Sequence, residues 1–295
     1  MRKSGVIVYI TLVFASAWLI ELGPVRRLGY APGRTAVLLL LVVVMFTPAL
    51  SSVIARLVER SGFGDAGLRW GRGRYHLVAW LLPFAVGAVA LGLTVALGLG
   101  RFDLSMMSML DKLPAAQREL ARAQLERWGL WVPVLGVVSG LTWGVAITSI
   151  ATFGEELGWR GYLQPRLAAR LGPTRAMLAV GFIWGVWHAP IIVQGHNYPG
   201  HPVAGVFLMI AFCVVWSVIL GWLFAASGSV LAPTIAHASI NSPAASLSVF
   251  AAGVNPTLGT LVGVVGIAAS GCVAAWVWWR YLKARPGQDS LQGSV

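Results

Sequence analysis

Charged residues are scarce in this sequence. Only 11% of the 295 residues are charged and ten are acidic, whereas 57% are hydrophobic and the mean hydropathy is +0.76. A water-soluble domain needs enough polar side chains to keep its surface hydrated, and this composition supplies too few of them. The scarcity of charge therefore excludes an ordinary soluble protein and predicts a polytopic membrane protein.

Cysteine is scarce too, and some common patterns are missing. The two cysteines, Cys213 and Cys272, each lie inside an apolar run, which excludes a disulfide framework and a zinc-ligand spacing. The sequence has no HExxH pair, the pattern that places two zinc-binding histidines on one helix. It also has no strand-like alternation strong enough to predict a membrane β-barrel.

The net charge of +12 does not indicate nucleic-acid binding. The basic residues lie in short segments between apolar runs, where they orient membrane helices and contact anionic headgroups. Because they form no contiguous basic surface, we predict a lipid bilayer as the environment and no nucleic-acid partner.

The apolar runs predict an all-α bundle of about eight transmembrane helices, since one span needs about 20 apolar residues. The predicted spans are 5–23, 36–55, 77–100, 130–154, 176–193, 204–226, 229–251 and 257–279. The first span begins like a signal peptide but continues through Trp18 to Ile20, so we predict that it is not cleaved. We expect one integral-membrane domain at 1–285, with a motif-bearing core at 130–251, and a short polar tail at 286–295.

The distribution of basic residues predicts the orientation. With the N-terminus inside, 14 of the 22 Lys and Arg residues fall in inner segments. This bias favours both termini in the cytoplasm, and the frequent Arg, Ala and Gly favour a bacterial plasma membrane. The polar segment 101–129 is typical of an amphipathic helix on the membrane surface.

A few polar residues lie at predicted membrane depth: Glu155, Glu156, His188, His237 and Asn241. Such groups are costly in a bilayer, so they face the bundle interior or a wet cavity and are functional candidates. Taken singly, each histidine or asparagine can equally be a packing hydrogen bond between helices. Together with the acids, they form the set that an active site requires.

Helical geometry separates the two acids. Glu156 and Arg160 are four residues apart and can form an ion pair on one face. Glu155 is rotated by about 100° from that face, which makes it the freer carboxylate and a candidate general base. If the chain turns at "LGPT", residues 171–174, Glu155 and His188 lie at nearly the same depth on neighbouring helices and can share one water molecule.

A second pair lies on the seventh span. His237 and Asn241 are four residues apart, so both project from one face, and their N–H groups can stabilise an oxyanion. Trp184, one turn before His188, is predicted to pack as part of a cavity wall. This inventory suits hydrolysis of an amide by an activated water molecule, in a cavity that we expect to open toward the cytoplasm.

These residues fall into three short motifs. They are "EELGWR" at 155–160, "WGVWH" at 184–188 and "HASIN" at 237–241. The set resembles the EExxxR, FxxxH and HxxxN motifs of the CPBP family of intramembrane proteases, the CAAX-processing and bacteriocin-processing group also called Abi. Trp184 stands at the phenylalanine position of the second motif. The resemblance covers residues 155–241.

The resemblance implies a role for each residue. Glu155 and His188 would activate the attacking water, and His237 and Asn241 would form the oxyanion hole. Glu156 and Arg160 would support the site. The family is commonly labelled a metalloprotease, and zinc, if bound, would be held by Glu155, His188 and His237. The favoured mechanism requires no metal or other cofactor.

We therefore predict an intramembrane endopeptidase whose substrate is a peptide or a membrane protein of unspecified sequence. One alternative is a non-catalytic membrane scaffold or bacteriocin-immunity protein. Another is a proton-coupled transporter that uses Glu155, although the inverted repeats frequent in transporters are not evident in the sequence.

Overall fold

A computed structural model of the chain describes residues 3–31, 34–106, 110, 113 and 115–282. In this part of the chain nearly all regular structure is helical, and the predicted all-α membrane bundle is confirmed. The predicted polar tail at 286–295 lies outside the described residues.

The main helices are numbered here in chain order. They are α1 (Lys3–Ile20), α2 (Thr35–Glu59), α3 (Arg74–Ala96), α4 (Ala115–Trp128), α5 (Trp131–Ser139), α6 (Val145–Gly158), α7 (Gln164–Leu171), α8 (Pro173–Trp187), α9 (Ala189–Val193), α10 (Pro202–Ser227), α11 (Leu231–Ser239) and α12 (Val264–Val277). Among the residues that the structure describes, five continuous helical stretches are long and apolar enough to cross a membrane: Ser4–Leu28, Thr35–Glu59, Arg74–Ala96, Trp131–Leu171 and Pro202–Ser227. The other three predicted spans are helical but shorter or interrupted, as at His188 between α8 and α9.

Single π-helical turns extend or join several helices. They are Glu21–Val25 after α1, Gly140–Gly144 between α5 and α6, Trp159–Leu163 between α6 and α7, Ile240–Ala244 after α11 and Trp278–Leu282 after α12. A short helix, Arg26–Leu28, follows the first of these turns, and a 3₁₀ turn, Leu247–Phe250, follows the fourth. π-helical turns are rare in proteins, and those that occur are often found at functional sites. Three of these five contain polar residues of the site described below.

The fourth span is longer than its apolar run. Helices α5, α6 and α7 form one continuous rod, Trp131–Leu171, of 41 residues. At 1.5 Å per residue the rod is about 60 Å long, roughly twice the hydrocarbon thickness of a bilayer. The predicted span, 130–154, therefore ended too early, because polar residues from Glu155 onward continue the helix. The rod ends at Gly172, whose φ of 77° is in the left-handed region that favours glycine, as expected for the predicted turn.

The bundle has two ends, which are named here by their contents. The terminal face carries the described ends of the chain, Lys3 and Leu282, and the turns at 60–73, 172 and 228–230. The loop face carries the described residues of the segments 29–34 and 97–130, together with the segments 194–201 and 251–263. On the loop face, an antiparallel strand pair, Arg101–Phe102 with Ala251–Ala252, joins two of these segments.

A charged network connects the helices at the terminal face. The Arg166 guanidinium contacts the Glu59 carboxylate at 2.6 Å and the Asp65 carboxylate at 2.9 Å. Asp65 also pairs with the buried Arg56 at 2.6 Å, and Arg56 donates to the Gly161 carbonyl at 2.7 Å. The network ties α2 and the following turn to the fourth-span rod at the end opposite the loop face.

Glycine pairs let the helices that carry the motifs approach their neighbours. A Cβ placed on Gly181 of α8 would lie 2.6 Å from the Val214 Cα of α10, and Gly185 is equally close to Ile210. On α6, Gly154 and Gly158 contact the backbone of α2 in the same way. In both helices the glycines are four residues apart, the spacing with which membrane helices pack closely.

The close approach at Gly181 can be tested against a matched glycine with free space. A methyl group at Gly181 has to displace α10, which costs about 1–3 kcal/mol of folding free energy. Gly271, in α12, has no heavy atom within 4 Å of its ideal Cβ, and there alanine gains up to about 1 kcal/mol of helix propensity. In thermal unfolding of the detergent-solubilised protein, we expect Gly181→Ala to lower the Tm and Gly271→Ala to keep or raise it. An unchanged Tm for Gly181→Ala would contradict the packing described here.

Candidate active site

One cavity of about 660 Å³ receives polar side chains from three of the motif-bearing helices. Its lining includes Glu155 of α6, Trp184 of α8, His188 at the end of α8, His237 of α11, and Asn241 of the π-helical turn after α11. Apolar residues of α2, α9 and α10 complete the wall. Every polar residue predicted to carry chemistry therefore borders one cavity. Of the three predicted supporting residues, Trp184 also borders it, while Glu156 and Arg160 are not part of its lining.

The Glu155 carboxylate is buried and held by two indoles. Its Oε2 accepts a hydrogen bond from Trp184 Nε1 at 2.8 Å and a longer one from Trp159 Nε1 at 3.4 Å. Trp159 is itself fixed by an edge-on contact with Tyr9 of α1. Within the described residues no group donates to Oε1, so this oxygen is the one left for a water molecule or a substrate.

The His188 ring is oriented by its own helix. Nδ1 lies 2.8 Å from the Trp184 carbonyl oxygen, which can only accept, so Nδ1 carries the hydrogen of the neutral ring. The lone pair is then on Nε2, the nitrogen that can accept a proton. The Trp187 ring packs edge-on against the imidazole at 4.8 Å and restricts its rotation.

Glu156 belongs to a second, separate cluster. Its Oε1 accepts from Arg160 at 2.9 Å and from His237 Nδ1 at 2.8 Å, and the side chains of all three residues are buried. The predicted ion pair between Glu156 and Arg160 is present in the structure. Because the carboxylate accepts from Nδ1, a donor at Nε2 of His237 requires the doubly protonated ring. His237 can therefore make the predicted contact with an oxyanion only when both of its ring nitrogens carry a proton. The sequence alone did not reveal this requirement.

Trp184 connects the two clusters. Its indole donates to Glu155, its carbonyl accepts from His188, and its ring lies 4.9 Å from the Arg160 guanidinium and 5.1 Å from the His237 ring. The sequence predicted wall packing for this residue. The structure adds a hydrogen-bond donor that a phenylalanine at the same position would lack.

The geometry does not fit the zinc site considered above. In the part of the chain that the structure describes, no group of three or more His, Cys, Asp and Glu side chains is arranged to hold a metal ion. Glu155, His188 and His237 border the same cavity, but they do not form such a group. No step of the mechanism below is routed through a metal.

Glu21 and His196 are ionisable cavity residues that were not predicted as site residues from the sequence. Glu21, in the π-helical turn after α1, is only 1% exposed and borders the cavity, as does His196 of the loop 194–201. The His196 Nδ1 lies 2.7 Å from the Tyr30 hydroxyl, and burial lowers the pKa of His196 to about 4, so the ring is neutral near pH 7. In the sequence, Glu21 is an acid at the end of an apolar run. This pattern fits a residue at the membrane–water interface as well as a residue that borders a cavity.

The cavity leads to the loop face. Its lining continues from Glu155 to Asn197 and Pro199 in one loop and to Gly253 and Pro256 in another. Both described chain ends lie on the opposite, terminal face. Two expectations from the sequence therefore exclude each other: a cavity that opens toward the cytoplasm and a chain with both termini in the cytoplasm.

Comparison with known proteins identifies the same region of the chain. Residues 137–243 match the family described as "Type II CAAX prenyl endopeptidase Rce1-like". A stretch of 48 residues is 44% identical to the CAAX prenyl protease 2 of Methanococcus maripaludis, and it represents 16% of this chain and 17% of that protein. The matched family segment lies within the predicted core at 130–251 and contains all three motifs. Residues 137–243 are thus similar to the Rce1-like CAAX endopeptidases, and the predicted resemblance to the CPBP family is confirmed in this part of the chain.

Proposed function

We propose that this protein is an intramembrane endopeptidase that hydrolyses a peptide bond with a water molecule activated by Glu155 and His188. The observation that carries the proposal is that both residues border one cavity and are linked through Trp184, which donates to the first and accepts from the second. The match to an endopeptidase family over the same residues supports the reaction class.

The proposed reaction follows from the available atoms. A water molecule between Glu155 and His188 loses a proton to the carboxylate Oε1 or the imidazole Nε2, and its oxygen attacks the peptide carbonyl carbon. The carbonyl oxygen becomes an oxyanion, which the Asn241 amide and a protonated His237 stabilise by donating hydrogen bonds. The C–N bond then breaks, and the proton held by the base passes to the departing amine.

Glu156 and Arg160 have a supporting role in this proposal. The carboxylate holds Nδ1 of His237, so it sets the direction in which Nε2 points. The guanidinium neutralises the carboxylate and packs on the Trp184 ring. Removal of either charge leaves the other buried without its partner, which is strongly destabilising in proteins.

The proposed substrate is a peptide or a membrane protein that reaches the site from the loop face. The predicted inner segments hold 14 of the 22 Lys and Arg residues, and the described parts of these segments lie toward the terminal face, which favours that face as cytoplasmic. In this orientation the cavity opens away from the cytoplasm of a bacterial plasma membrane.

The catalytic assignment predicts large losses of activity at two positions. Glu155→Gln removes the proton acceptor and keeps the size of the side chain, and His188→Ala removes the imidazole. We expect each to lower the rate of peptide cleavage by at least about 100-fold, the lower end of the usual contribution of general acid–base catalysis. Glu119→Gln, on the exposed face of α4, and His201→Ala, in the loop 194–201, are matched controls that should keep full activity. Full cleavage activity in Glu155→Gln would contradict the role of Glu155 as the base. A Glu155→Gln variant that does not cleave but still restores the function of the protein in cells would favour a scaffold or immunity role.

The shared oxygen of Glu155 predicts non-additive effects of the two tryptophans. Trp184→Phe removes the shorter hydrogen bond and should lower kcat/KM by about tenfold, the scale of one hydrogen bond to a charged group. Trp159→Phe alone removes the longer contact and should have a smaller effect. The double variant leaves Oε2 buried with neither indole donor, so its loss should exceed the product of the two single losses. Simple additivity would show that the two indoles do not act on one acceptor.

The orientation can be measured by cysteine labelling in whole cells. In a chain without its two native cysteines, Pro199→Cys reports on the loop face and Leu68→Cys on the terminal face, since both positions are exposed. A membrane-impermeant maleimide added outside should label Pro199→Cys in intact cells and Leu68→Cys only after permeabilisation. The opposite pattern would place the cavity opening in the cytoplasm and the described chain ends outside.

A further inference from the structure

The cavity contains a second carboxylate that the proposed hydrolysis does not use. Glu21 is 1% exposed, and its Oε2 has no hydrogen-bond partner within the described residues. The ion pairs found in that part of the chain do not include it either. A buried carboxylate without a hydrogen-bonded cation is energetically costly. Because Glu21 borders the cavity, a ligand bound there can supply the missing partner.

In the described part of the chain, the backbone of Glu21 is held by a side-chain contact, whereas its carboxylate has no ion-pair partner. Its backbone carbonyl accepts a hydrogen bond from Gln194 Nε2 at 3.1 Å, and the same amide donates to the Pro190 carbonyl at 3.0 Å. These contacts fix the π-helical turn of Glu21 against α9 and leave the carboxylate to the cavity. The nearby wall is apolar and includes Leu41, and His196 at this end of the cavity is neutral near pH 7.

The position of Glu21 relates it to the proposed site of hydrolysis. Gln194 donates to the carbonyls of both Glu21 and Pro190, and Pro190 follows His188 by two residues, so the turn of Glu21 lies within about two helical turns, roughly 10 Å, of His188 toward the loop face. An extended peptide advances about 3.3–3.6 Å per residue. A peptide that enters from the loop face would therefore pass Glu21 within about three residues of the bond at Glu155.

We propose that Glu21 forms a subsite for a cationic group of the substrate, namely the ammonium of a lysine or of a free amino terminus, or the guanidinium of an arginine. The inference rests on the proposed peptidase function for the direction of the peptide, but it concerns binding alone. We propose a cation as the ligand because a carboxylate and a cation form strong, charge-assisted hydrogen bonds, and the buried Glu21 carboxylate has no such partner within the described residues.

The test measures binding in the Glu155→Gln background, so that hydrolysis does not interfere. The probes are fluorescent decapeptides of Ala, Leu and Gly with blocked ends and a single lysine placed at each position in turn. Each is paired with a twin that has uncharged norleucine instead, and a third series has a free amino terminus and no lysine. Fluorescence anisotropy in detergent micelles gives the Kd, with empty micelles as the blank.

The expected result is that at least one lysine or free-amine peptide binds about tenfold or more tightly than its neutral twin, which is the scale of one charge-assisted hydrogen bond. Adding Glu21→Gln should remove this preference, and adding Glu119→Gln should keep it. Glu21→Met replaces the buried carboxylate with an apolar side chain of similar length and should also remove it, which decides the matter if the first variant does not fold.

Equal binding of charged and neutral twins to the Glu155→Gln protein would overturn the proposal, as would a preference that survives Glu21→Gln. Both outcomes leave the peptidase function untouched, because that function is measured by cleavage in the protein with Glu155. Conversely, a lysine preference without any cleavage by the unmodified protein would support the subsite and contradict the hydrolysis.

Discussion

The arrangement of the site depends on the Glu156 carboxylate, whose Oε1 accepts from both Arg160 and His237. The arginine is on the same rod as the acid, and the histidine is on α11, so a single oxygen joins two spans inside the bundle. The two adjacent acids therefore have different roles. Glu156 makes structural contacts between helices, whereas Glu155, rotated by about 100° along the helix, borders the cavity.

Close helix approach is the second condition for the site. The acids lie between Gly154 and Gly158, and Trp184 lies between Gly181 and Gly185, so the residues that carry chemistry are enclosed by residues without side chains. Glycine has no side chain to fill the interface, and backbones can therefore meet where van der Waals packing is the main source of helix association in lipid. The long side chains between the glycines are then directed sideways, into the space between helices.

The sequence was sufficient for the membrane class, the helical bundle and five of the residues that border the cavity, because polar groups at membrane depth are rare and stand out. It was not sufficient for side-chain partners. The donor role of Trp184 depends on which residue of a neighbouring helix its indole meets, and spacing along one helix does not contain that information. Glu21 was missed because an acid at the end of a span reads the same whether it faces headgroups or a cavity. The end of the fourth span was misplaced because apolar content was used to locate it, whereas the helix continues through buried polar residues.

The two described ends of the chain lie across the bundle from the loops that surround the cavity. If the substrate enters from the loop face as proposed, an affinity tag or reporter domain fused beyond either described end would project into the opposite compartment. The protein can be tethered to a surface by such a fusion with its cavity still accessible from solution, and a bulky cargo at either end would leave that access clear.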